Sequence, residues 1–63
     1  MPTELIKDFI DKECVITLIG ENKTEISGKI IAVEGYWIKI EEKDCIKVIN
    51  GVMVRDIKTL IEK

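Results

Sequence analysis

Histidine is absent from this 63-residue chain, and the aromatic residues are reduced to one phenylalanine, one tyrosine and one tryptophan. Without histidine the commonest general acid–base near neutral pH is missing. No nucleophile in a recognisable setting, no glycine-rich phosphate loop and no converging carboxylate pair takes its place, so the chain reads as no enzyme. The two cysteines, Cys14 and Cys45, form no CxxC pair and cannot by themselves fill a tetrahedral zinc site, so neither metal nor cofactor is expected. Both lie in apolar runs, ECVITLI and DCIKVI, where a reduced thiol behaves as a small hydrophobe; a single Cys14–Cys45 bridge is the alternative. The longest uninterrupted apolar run, Ile30 to Val33, is far too short for a membrane span, and nothing resembles a signal peptide. A cytoplasmic protein is the expectation.

Basic residues are also in deficit, ten against twelve acidic ones, for a net charge of −2. That is the wrong sign for sequence-blind attraction to phosphate backbones, so any nucleic-acid contact has to be a local site. Length sets a further bound. A single domain of residues 1–63 buries only about 60% of its unfolded surface, and its core alone supplies a few kcal/mol. With metal and disulfide set aside, association with copies of itself is the remaining source of stability.

What is present is a change of period. Leu5, Ile6, Phe9 and Ile10 share one face at helical spacing, which predicts an amphipathic helix from Thr3 to about Lys12, capped by Thr3 and anchored by Phe9. From Glu13 the period becomes two and β-branched residues dominate. Strands are predicted at Cys14–Ile19, Thr24–Val33, Tyr36–Glu41, Cys45–Ile49 and Arg55–Ile61. The first two are joined by a Gly20–Lys23 loop, the next two by Glu34-Gly35. Asn50-Gly51 reads as a tight turn tolerant of positive φ, and Gly28 as a bend, bulge or close approach. Five short antiparallel strands behind a helix suggest an all-β, strongly bent SH3-like barrel.

Alternation assigns faces. Ile26, Gly28 and Ile30 share one side of the second strand; Ile38 and Ile40 look inward on the third, and Ile46 and Val48 on the fourth. Lys29, Lys39 and Lys47 would then line up on the outer face beside Trp37, a mixed basic and aromatic surface suited to single-stranded nucleic acid. Arg55 and Asp56, as neighbours in a strand, are expected to face opposite ways and not to pair.

These elements and residues together resemble the Sm/LSm superfamily, with the bacterial Hfq branch nearest in length. Its first signature is filled by Ile26, Gly28, Ile30, Glu34, Tyr36 and the run Trp37-Ile38-Lys39-Ile40; its second is similar to Ile49-Asn50-Gly51 with Val54. The resemblance implies an Sm-like barrel that binds single-stranded RNA, with Glu34 in the acidic place, Tyr36 stacking a base and Asn50 in the place of an arginine beneath it. Ile38 stands where the family has an asparagine that reads a base edge. Isoleucine has neither donor nor acceptor, so stacking rather than edge reading is implied. The resemblance further implies that the free edges of the fourth and fifth strands join copies into a homo-oligomer, a ring of roughly five to seven subunits, or a dimer. The other reading is an oligomeric scaffold or regulatory module on the same barrel, without nucleic acid.

Overall fold

A computed structural model of the chain describes residues 3–20, 22 and 24–61. A short helix α1 (Thr3–Ile6) runs into a 3-10 turn over Lys7–Phe9. Five strands follow: β1 (Glu13–Leu18), β2 (Glu25–Glu34), β3 (Trp37–Glu41), β4 (Ile46–Asn50) and β5 (Val54–Thr59). All neighbours are antiparallel, in the order β4-β3-β2-β1-β5. Glu21 and Lys23 of the expected Gly20–Lys23 loop lie outside the described residues.

The helix is shorter than its apolar spacing predicts because the sheet captures the chain early. Ile10 is already extended, and Asp11 takes a left-handed φ of 73°, a conformation that aspartate tolerates better than most residues. The Asp11 N–H then donates to the Ile30 carbonyl at 2.7 Å, and the Ile30 N–H donates to the Lys12 carbonyl at 3.3 Å. Of the four apolar residues on the helix face, Ile6 alone is wholly buried; Phe9 is half-buried and Leu5 faces solvent, so Ile6 and not Phe9 anchors the helix.

The core is almost entirely aliphatic. Ile6, Cys14, Ile16, Ile26, Ile30, Ile38, Ile40 and Val54 are buried, with Ile49 and Ile57 at its margins. Cross-strand partners share a face, and the pairs Ile16↔Ile26, Ile30↔Ile40 and Ile38↔Ile49 layer this interior. Gly28 lies where β3 passes closest. A Cβ there would stand 2.6 Å from Ile40 Cγ2 and 2.7 Å from the Glu41 carbonyl oxygen, so only glycine fits. Between Ile30 and Ala32 the register slips by one residue. This bulge at Ile31 turns Val33 inward opposite Ile38 and lets an unbroken apolar run serve both faces.

On β4 the alternation differs from expectation. Ile49 is opposite Ile38 and Lys47 opposite Ile40, so these two share the inner face, while Ile46, Val48 and Asn50 lie on the outer one. Ile46 and Val48 remain more than half exposed. The segment IKVIN has aliphatics in both parities, and pairing with β3 selects the Ile49 set. On β5, Arg55 is an extra residue where the ladder slips between Thr17 and Leu18. The slip rotates its side chain off strict alternation, and Arg55 Nε comes to 3.9 Å from Asp56 Oδ2, a pair in which both groups are exposed.

A candidate interaction face at the end of the β2–β3 hairpin

β2 and β3 are joined by two residues, Gly35 and Tyr36, since Glu34 pairs directly with Trp37. Gly35 has φ 56°, whereas Tyr36 is not among the residues with positive φ; a positive first position alone is the pattern of a type II′ hairpin turn. Tyr36 therefore sits at the hairpin tip and not inside β3, and the residue is 68% exposed. Its carbonyl accepts a hydrogen bond from the Gly51 N–H, which ties the tip to the 3-10 turn Gly51–Met53. Asn50 precedes that turn with φ −83°, ψ 121°, so Asn50-Gly51 is not the positive-φ turn the dipeptide suggested. Asn50 Oδ1 instead accepts from the Val52 N–H at 2.9 Å, a side-chain cap that leaves the amide NH2 to point elsewhere.

Four of the expected site residues thus meet at one end of the sheet. Glu34, Trp37 and Asn50 form a cross-strand row on the outer face, and Tyr36 projects beside it. The lysines divide. Lys39 lies on the outer face between Ala32 and Val48, and Lys29 on the same face between Glu13 and Glu41. Lys47 is on the opposite face, its ammonium 3.7 Å from Glu42 Oε2. The three-strand lysine line does not form, because the reversed parity of β4 takes Lys47 out of it.

Two features escaped the sequence pattern. One is an apolar strip of Trp37, Val48 and Ile46, each half or more exposed, running along the β4 edge. Its only signal was the excess of aliphatics in IKVIN. The other is a small cluster where β3 turns into β4. The exposed Cys45 thiol donates to Glu42 Oε2 at 3.1 Å. That hydrogen bond to the carboxylate raises the thiol pKa, because it stabilises the protonated form. Cys14, in the core, is pushed up chiefly by burial. Both thiols are free. On alkylation at mildly alkaline pH, Cys45 is expected to react while Cys14 is protected in the folded protein. Glu42→Gln lowers the Cys45 pKa toward that of an ordinary thiol and so raises its rate, which peptide mass mapping over time would read.

No family model matches the chain, and no curated protein or solved structure matches it. Among the described residues no helix is long and apolar enough to cross a membrane.

Proposed function

We propose that this chain is a self-associating, Sm-like subunit that holds single-stranded RNA by stacking bases on Tyr36 and Trp37. One observation carries the reading: the β2–β3 hairpin places an exposed tyrosine and an exposed tryptophan at one end of the sheet, in a row with Glu34 and Asn50. The strand order supports the fold half of it. β4 and β5 are the two margins of the sheet, where a bent barrel of this class meets its neighbours, and an Sm-like protein would join them into a ring. Aromatic faces accept any base, so recognition here is by stacking, with Asn50 NH2 as a polar contact and Lys29 and Lys39 near the phosphates.

Trp37 is the chain's one tryptophan, so titration with short oligo-U, oligo-A and mixed RNA can be followed by its fluorescence. Tyr36→Ala removes one stacking platform of about 1–3 kcal/mol and is expected to weaken binding roughly 5- to 150-fold. With two lysines near the strand, the log–log salt slope should be no steeper than about −1.4. The scaffold reading draws on Glu13 and Glu41, which flank Lys29, and on Glu34, which stands opposite Trp37. Absence of saturable binding below roughly 100 μM would favour it over RNA.

A further inference from the structure

Glu34, Trp37 and Asn50 stand side by side across three strands, so the exposed Trp37 has a polar residue on each flank. Two strand spacings separate those flanks, about 10 Å from one to the other. Their hydrogen-bonding characters are opposite. Glu34 is exposed and, among the described residues, its carboxylate takes part in no hydrogen bond or ion pair, so both oxygens are available as acceptors. Asn50 is the reverse. Its Oδ1 is occupied by the Val52 N–H at 2.9 Å, which fixes the orientation of the amide, and the NH2 with its two donors has no partner among the described residues. Ile38 is buried in the core, so any reading of a base edge falls to this outer-face row.

We propose that the row selects guanine in single-stranded RNA. Trp37 stacks the base, Glu34 accepts from the N1–H and N2–H2 donors of its Watson–Crick edge, and the Asn50 NH2 donates to N7 or O6 on its Hoogsteen edge. The proposal rests on the base-stacking reading above and adds a choice of base to it, since stacking on Tyr36 and Trp37 supplies affinity whatever the base. Guanine alone among the four bases carries two adjacent donors on one edge and two acceptors on another. Uracil has a single donor, N3–H, flanked by O2 and O4, and a carboxylate set against it brings one oxygen up to a lone pair. Adenine and cytosine offer one amino group beside a ring acceptor, with the same conflict. The charge on Glu34 widens the difference. Hydrogen bonds to an ionised acceptor are roughly twice as strong as neutral ones, whereas an unmatched carboxylate only repels the phosphates of the strand.

The test is titration of the full chain, followed by Trp37 fluorescence, with short uridine RNAs whose central position is uridine, adenosine, cytidine, guanosine or inosine. Inosine keeps N1–H, N7 and O6 but lacks the 2-amino group. The guanosine RNA should bind roughly 5- to 150-fold more tightly than the all-uridine one, and inosine should lose much of that preference. Glu34→Gln removes the charge and one acceptor, so it should erase the guanine preference while leaving the all-uridine RNA bound as well as before or better. Asn50→Asp keeps an oxygen to cap Val52 but removes both donors, and it should lower the ratio of guanosine to uridine affinity. Both variants should keep the far-ultraviolet spectrum of the parent, because Glu34 is exposed and the cap survives. Equal binding of all these RNAs would overturn guanine selection and leave base stacking standing. A Glu34→Gln chain that binds every RNA more tightly by one common factor would do the same, since the carboxylate would then act on phosphates alone. Absence of saturable binding by any of them would overturn both readings.

Discussion

Ile40→Ala is expected to leave the isolated chain largely unfolded. Ile40 is wholly buried, pairs with Ile30 across β2, and touches the floor of the sheet where Gly28 admits β3. Truncating a buried isoleucine to alanine costs about 2–5 kcal/mol, because lost transfer energy and an unfilled cavity add. A core of this size supplies only about 3–5 kcal/mol, so the loss is comparable to everything the single chain has. Ile40→Val, at about 0.5–1.5 kcal/mol, should remain folded with a lower denaturation midpoint. Urea titration followed by circular dichroism distinguishes the two. An alanine variant as stable as the parent would mean that the core is not where the packing places it.

Val48→Lys should have the second large effect, on assembly and not on folding. Val48 lies on the outer face with half its surface exposed, so the single chain accommodates a lysine there at little cost. A charge on the outer face of the β4 margin, however, guards it against strand addition, as Arg55 and Lys58 do on β5. The variant should sediment as a single chain at concentrations where the parent is associated, with an unchanged far-ultraviolet spectrum.

These two positions also mark how far the sequence could be read. Ile40 was legible: strict alternation in WIKIE puts Ile38 and Ile40 on one face, and both are wholly buried. Every strand was legible to within two residues, since β-branched alternation bounded by glycine, asparagine and charged turns admits little else. Val48 was not legible. In IKVIN both parities are apolar, and only the ladder to β3 decides that Ile49 faces inward. The lysine line failed for the same reason, because Lys47 follows the parity of its strand. The helix is shorter than expected because apolar spacing through Ile10 says nothing of the two hydrogen bonds, Asp11 N–H to the Ile30 carbonyl and Ile30 N–H to the Lys12 carbonyl, that end it. Tyr36, Trp37, Glu34 and Asn50 were drawn from one signature-like stretch and one turn, and they do converge. What the pattern could not supply was the two-residue turn that moves Tyr36 from a strand to the tip.

Sedimentation velocity of the unmodified protein reads self-association through the strand margins without any label. At tens of micromolar a species heavier than the 7.2 kDa chain, dissociating on dilution, is expected. A single species of 7.2 kDa across that whole concentration range would rule self-association out.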